Sequence, residues 1–208
     1  MKIRILTILA LGASVGLGVA AHAATDVAST ADQAKLKATI ENCAVCHGGN
    51  GHSVSPTFPN LAAQQPTYLE NQLKAFKNET RADPDAQAFM WGMASQLDDQ
   101  MIGELAQYFS TQPPPPSEPG DPKLIAEGHK IFHEGIPAQG VPACASCHGA
   151  DAAGRGMFPR LAGQHKPYLI KQLLVIQSVL RTAPVMHGVI KTLSRHEMEA
   201  VATYLASL

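Results

Sequence analysis

The pattern C-x-x-C-H occurs twice in this chain, as Cys43-Ala44-Val45-Cys46-His47 and as Cys144-Ala145-Ser146-Cys147-His148. Two thiols three positions apart on a tight turn can each form a thioether to one vinyl group of the same porphyrin. The adjacent histidine is then held next to the iron as its proximal ligand. Each motif is therefore predicted to attach one c-type haem, with His47 and His148 as iron ligands.

A redox disulfide and half of a zinc site are the alternative uses of a C-x-x-C pair. The histidine after each pair, the predicted export of the chain and the duplication of the motif argue against both. A zinc site would need further Cys or His residues at recurring spacing, and none recurs. Aromatic residues make up only 5% of the chain, so a porphyrin in each half would supply apolar surface that the side chains lack.

The motif belongs to a duplication that covers most of the chain. Phe58-Pro59-x-Leu61-Ala62-x-Gln64 and Tyr68-Leu69-x-x-Gln72-Leu73 both return 100 residues later. Two copies of this length indicate two similar domains rather than a repeat array. Four consecutive prolines favour a stiff extended linker over residues 113–120, for which a simple spacer is the alternative. The predicted domains are residues 24–112 and 121–208.

The apolar spacing predicts an all-α fold. Ile102, Leu105, Ala106 and Phe109 fall on one helical face, and Met198, Val201, Ala202 and Leu205 repeat that spacing. Ser194 and Glu197 predict a capping box before the second of these helices, and Asp98 holds the matching position in the first half. Short opening helices are predicted around residues 35–41 and 124–133, and Leu169, Leu173, Ile176 and Leu180 form a further stripe.

The first 23 residues have the pattern of a signal peptide. Lys2 and Arg4 precede an uncharged apolar run over residues 5–20, and a small-x-small site ends at Ala23. A membrane anchor is the less favoured alternative, because the run is short for a spanning helix. Cleavage after Ala23 and export to the periplasm are predicted, and no transmembrane segment is expected in the mature chain.

Met90 and Met186 are the predicted sixth ligands of the two irons. They correspond at an offset of 96, and each precedes a leucine, Leu97 or Leu193, by seven residues. His/Met ligation fills both axial positions and raises the potential, which suits an electron carrier better than an enzyme with an open iron site. The rival side chains have no counterpart of their own kind in the other half: Met93, Met157, His52, His129, His133, His165, His187 and His196.

Two further pairs of residues are candidates for the surroundings of the iron. A metal-bound histidine normally donates its other N–H to a carbonyl or carboxylate, and Pro59 and Pro159 are placed to offer a backbone carbonyl. Simple turning of the chain is an equal alternative for these prolines. Tyr68 and Tyr168 are assigned to helix packing in preference to contact with haem propionates.

Taken together, these motifs resemble the cytochrome c4 family, di-haem class I cytochromes of the periplasm. The resemblance covers nearly all of residues 31–208 and includes the entry to the second motif, Gly140-Val141-Pro142-Ala143-Cys144. It implies two tandem class I cytochrome c domains, each a few helices wrapped around one covalently bound haem. It also implies His/Met ligation and electron delivery to a terminal oxidase or another acceptor. The chain departs from the repeat at Ala63, where the second half has Gly163, and in the acidic segment over residues 81–88.

The charge distribution bears on the partners of the protein. Residues 24–112 contain five Lys or Arg and ten Asp or Glu, whereas residues 113–208 contain nine and seven. This asymmetry would let the two ends face different redox proteins, such as a membrane oxidase or a dehydrogenase complex, and a charge difference without a functional role is the alternative. No nucleic-acid partner is expected. The alternatives to a shuttle are a dedicated electron-accepting subunit of a periplasmic dehydrogenase and, less favoured, a di-haem oxidoreductase or peroxidase.

Overall fold

A computed structural model of the chain describes residues 29–208, so the predicted signal peptide lies outside the described residues. The described residues form nine α-helices: α1 (Thr30–His47), α2 (Pro66–Lys77), α3 (Trp91–Ala94), α4 (Asp99–Ser110), α5 (Pro122–Glu134), α6 (Ala145–His148), α7 (Lys166–Gln177), α8 (Pro184–Ile190) and α9 (Arg195–Ala206). A π-helical turn over Ala86–Met90 leads into α3. Residues 29–208 contain no strand, which agrees with the predicted all-α class. None of their helices is long and apolar enough to span a bilayer.

Each half of the molecule has its own apolar core. In the first half, Leu69 of α2 packs with Leu105 and Phe109 of α4, and Leu36 and Ile40 of α1 lie against them. The second half repeats this arrangement with α5, α7 and α9. The helices therefore form two tandem domains in which the last helix packs on the opening helix. The domain limits at residues 112 and 121 stay a prediction.

The helix starts follow the capping signals in the sequence. Ser194 and Glu197 form the predicted capping box of α9, and Asp98 accepts a hydrogen bond from the Met101 amide at the start of α4. Ser29 and Asp32 form another capping box on α1. Each cap satisfies a backbone N–H group that has no partner inside the helix. All eight residues of the two predicted stripes on α4 and α9 are buried.

Two details of the helix prediction differ from the structure. The opening helix α1 is longer than predicted, because its cap at Ser29 starts it early and the C-x-x-C-H motif continues it to His47. The assignment of Leu180 to an apolar stripe is wrong. Helix α7 ends at Gln177, Val179 takes a φ of +63°, and Leu180 is 53% exposed beyond that turn.

The proline-rich linker contacts both domains. The carbonyl of Pro113 lies 2.8 Å from Nε2 of His52 in the first domain, and the Glu118 amide donates to the carbonyl of Ala206 at 2.7 Å. Pro115 is buried beside Gly163, where a Cβ would meet its ring at 3.0 Å. The glycine at this position therefore makes room for the linker. The linker is part of the packed structure and not a spacer alone.

Helices α5 and α9 cross at close range at Gly128. A Cβ on this glycine would lie 2.1 Å from the carbonyl oxygen of Ala200 and 2.7 Å from the Cβ of Tyr204. Only the missing side chain allows this separation, since both neighbours belong to the backbone or its first side-chain atom. Phe132 of α5 is fully buried in the resulting core.

Candidate functional site

The four cysteines lie in two short helical turns, one at the end of α1 and one at α6. Cys43 and Cys46 lie in the last turn of α1, whereas Cys144 immediately precedes α6 and Cys147 lies within it. All four are half-buried. Burial raises the pKa of the Cys43 thiol and raises that of Cys144 to about 11. Each pair of cysteines thus lies on one helical turn, beside its histidine.

The two motif histidines are buried and held by one hydrogen bond each. Nδ1 of His47 lies 2.9 Å from the carbonyl oxygen of Pro59, and Nδ1 of His148 lies 2.9 Å from that of Pro159. A carbonyl oxygen only accepts, so Nδ1 carries the proton in both rings and Nε2 has a lone pair for a metal. Burial lowers the pKa of both imidazoles, which favours this neutral form. The predicted carbonyl partners of the histidines are confirmed.

The two predicted methionines occupy similar, partly buried positions. Met90 ends the π-helical turn and packs against an apolar cluster that includes Phe76. Met186 lies in α8 and packs against the cluster that includes Ile176 and Ile190. The two alternative methionines are more exposed to solvent: Met93 is 47% exposed and Met157 is 63% exposed. The π-helical turn is itself an irregularity that proteins often place at functional sites.

A buried cationic cluster lies between the two domains, and the sequence analysis missed it. Arg81 donates to Gln72 of its own domain and to Gln172 of the other, while Arg181 donates to Gln172, to Gln72 and to the Tyr68 hydroxyl, at 2.6–3.0 Å. Both arginines are only 8% exposed. The recurrence of this arginine at the offset of 100 was the signal that could have revealed it.

The charges in this cluster do not balance within the described residues. Asp83 pairs with Arg81 at 2.9 Å, and no described carboxylate pairs with Arg181. Burial opposes the charge on Arg81, but neighbouring Tyr168, Tyr68 and Asp83 outweigh burial and raise its pKa. The amide nitrogen of Gln172 is buried without a hydrogen-bond partner. A buried site with excess positive charge and an unpaired donor is suited to an anionic group.

Comparisons with known proteins agree with this geometry. A family model described as Cytochrome c matches residues 33–113 and again residues 125–208. The chain is 40% identical over 192 residues to cytochrome c-552 of Acidithiobacillus ferridurans, covering 91% of this chain and 83% of that protein. The solved structure of Acidithiobacillus ferrooxidans cytochrome c4 superposes with a TM-score of 0.77 at 41% identity, covering 81% of this chain and 99% of the other.

The chain belongs to the cytochrome c4 family. It is thus a di-haem electron-transfer protein with two tandem cytochrome c domains and two covalently bound haem c groups. It is also 32% identical to a thiosulfate dehydrogenase electron acceptor of Thiomonas intermedia over 92% of this chain and 89% of that protein.

The residues of this chain fit the haem groups that the family carries. Each domain offers two half-buried cysteines on one turn and a histidine whose Nε2 is available for iron. The unpaired amide of Gln172 and the uncompensated charge of Arg181 suit the carboxylates of a porphyrin. Tyr68 belongs to this polar network through its hydroxyl, so the packing role assigned to it is incomplete.

Proposed function

We propose that this protein carries electrons in the periplasm between respiratory-chain donors and a terminal oxidase or another acceptor. The axial ligands of the irons are His47 with Met90 and His148 with Met186. The main support for this proposal is that the two histidines have the same environment. Each is held through Nδ1 by a proline carbonyl at 2.9 Å, which leaves Nε2 for iron. The partly buried methionines support the second half of each ligand pair.

The remaining residues have supporting roles in this proposal. Cys43, Cys46, Cys144 and Cys147 form the thioethers to the two haems. The buried cations Arg81 and Arg181 would neutralise the porphyrin carboxylates, and the unpaired amide nitrogen of Gln172 would donate a hydrogen bond to them. A bound haem supplies one-electron redox chemistry, and two filled axial positions keep the iron from exchanging ligands with outside molecules. The protein is therefore a carrier and not an enzyme.

A redox titration of the purified holoprotein tests this proposal. Visible absorption should show two low-spin haems at positive potential, both with the weak charge-transfer band of methionine bound to ferric iron. Met90→Ala should remove the band from one haem, and Met186→Ala from the other. Met93→Ala and Met157→Ala are the matched controls, because both side chains are exposed, and each should leave the band intact. A band lost in a control variant would move the ligand assignment to that residue.

A high-spin haem in the unmodified protein would count against the carrier function. It would mean that one methionine is not bound, and the di-haem oxidoreductase or peroxidase would then be the better hypothesis. The titration thus separates the two classes of function by the state of the sixth position.

A dedicated electron acceptor for a periplasmic dehydrogenase is the second candidate, favoured by the similarity to the Thiomonas intermedia protein. Co-purification from the native periplasm and membranes would distinguish a dedicated electron acceptor from a free shuttle. A stable complex with one dehydrogenase supports the dedicated acceptor, whereas recovery of the free protein that exchanges electrons with an oxidase supports the shuttle.

A further inference from the structure

Each domain holds the other by a glutamine that binds one backbone residue at two points. Oε1 of Gln164 accepts from the Asn60 amide at 2.9 Å, and its Nε2 donates to the Asn60 carbonyl at 2.9 Å. In the opposite direction, Oε1 of Gln64 accepts from the Arg160 amide at 2.7 Å, and its Nε2 donates to the Arg160 carbonyl at 3.0 Å. Both glutamines are only 6% exposed, so these bonds are shielded from water.

The bound residues directly follow the two prolines that hold the histidines. The carbonyl of Pro59 and the amide of Asn60 belong to one peptide group, and the same is true of Pro159 and Arg160. The first peptide group accepts from Nδ1 of His47 through its oxygen and donates to Gln164 through its nitrogen. A peptide that donates on one side becomes a stronger acceptor on the other, because hydrogen bonds in a chain polarise one another.

We propose that Gln164 and Gln64 are positioning residues that tune the haem of the opposite domain through these two peptide groups. Gln164 strengthens the bond from His47 to Pro59, and Gln64 strengthens the bond from His148 to Pro159. A stronger bond at Nδ1 makes the imidazole a better electron donor to iron and stabilises the ferric state. Each glutamine therefore lowers the potential of the haem that lies across the domain boundary. This inference rests on the proposed ligation by His47 and His148.

The surroundings of Gln164 make the effect separable from a loss of folding. Its Oε1 also accepts from the His165 amide at 3.1 Å, which fixes the side-chain rotamer from its own domain. Asn60 is held independently, since its side chain donates to the Gly163 carbonyl at 2.9 Å and accepts from the Ser53 amide at 2.8 Å. A change at Gln164 should thus leave the loop in place while it removes the polarising contact.

Two substitutions at one position distinguish tuning from a merely structural role. Gln164→Met has similar length and no hydrogen bonds, so the potential of the first haem should shift to a more positive value. Gln164→Glu retains an acceptor for the Asn60 amide and adds negative charge, so the same potential should shift to a more negative value. Because both variants lose the bond to the Asn60 carbonyl, a role of that bond alone would weaken the hydrogen bond of His47 in neither variant, whatever the added charge does to the potential.

The experiment uses the holoprotein and assigns each haem by NMR. Haem methyl resonances of the ferric protein follow each potential through a stepwise titration, and the Nδ1 proton of His47 in the ferrous protein reports the strength of its hydrogen bond. Gln164→Met should shift that proton upfield, with the second haem much less affected. Gln64→Met should shift the Nδ1 proton of His148 upfield and make the potential of the second haem more positive.

Shifts confined to the domain that carries the substitution, or equal shifts of both haems, would overturn the inference. So would shifts of the same sign in Gln164→Met and Gln164→Glu. A failure of the proposed function is recognised separately, because the unmodified protein would then lack the methionine band or the exchangeable Nδ1 proton of a ligated histidine.

Discussion

Replacing Gly128 with alanine should weaken the contact between α5 and α9, whereas the same replacement at Gly103 in α4 should stabilise the protein. An alanine in a helix interior is favoured over glycine by about 1 kcal/mol. At Gly103 nothing lies within 4 Å of the added Cβ, so most of that gain should be kept. At Gly128 the added Cβ would lie 2.1 Å from the Ala200 carbonyl oxygen and 2.6 Å from its carbon.

The loss of stability in Gly128→Ala depends on how far the backbones of α5 and α9 must move apart. Overpacking of a well-packed core costs about 1–3 kcal/mol, and here no flexible side-chain tip can move away in place of the backbone. After the gain in helix propensity of about 1 kcal/mol, we expect a net loss of up to about 2 kcal/mol, which lowers the Tm of the second domain by roughly 4–8 °C for each kcal/mol lost. Gly103→Ala should raise the stability of the first domain by about 0.5–1 kcal/mol.

Denaturant unfolding of both holoproteins measures this difference, with far-UV circular dichroism and haem absorption followed together. Two probes are needed because a two-domain protein with cofactors need not unfold in one step. Equal stabilities of Gly128→Ala and Gly103→Ala would refute the reasoning, since the helix crossing would then have no steric contact at Gly128.

Three further predictions concern backbone strain, a helix cap and the domain boundary. Val179→Gly should stabilise the protein by about 1 kcal/mol in thermal unfolding, because valine at a φ of +63° is strained. Burial opposes the negative charge of Glu197, but hydrogen bonds from Ser194 outweigh it and hold its pKa below the usual 4.5. The advantage of the native protein over Glu197→Gln should therefore be present above pH 4.5 and disappear as the pH falls through the lowered pKa, and equal pH profiles would contradict this. His165→Gln should keep the Tm nearly unchanged, because Gln65 makes the equivalent bond across the boundary at 2.9 Å, whereas His165→Ala should lower it.

Much of the haem site could be predicted from the sequence, because its chemistry is local. A C-x-x-C-H motif places two thiols and an imidazole on one turn whatever surrounds it, and the structure has this arrangement at the ends of α1 and α6. The caps at Ser194 and Asp98 were equally predictable, since each involves groups three residues apart. The methionine ligands stay a prediction, because their assignment compares two distant halves of the chain.

The failures of the sequence analysis have a common origin. Leu180 fitted the apolar spacing of a helix, but α7 ends three residues earlier at Gln177. A turn with the left-handed residue Val179 follows, and apolar spacing does not indicate where such a turn ends a helix. Arg81 and Arg181 looked like ordinary charged residues, yet both are buried between the domains. Burial depends on what the other domain places against a side chain, and the local spacing of apolar residues carries no such information.

The sequence by itself determined the two haem-attachment turns, the duplication and the order of the helices, since these follow from groups within a few residues of one another. Only the tertiary structure decided how the two copies meet. Gln164 and Asn60 are 104 positions apart, and their contact depends on the packing of complete domains around the linker. Contacts at such separation are set by the shape of the assembled surfaces, and that shape exists only after each domain has buried its own core.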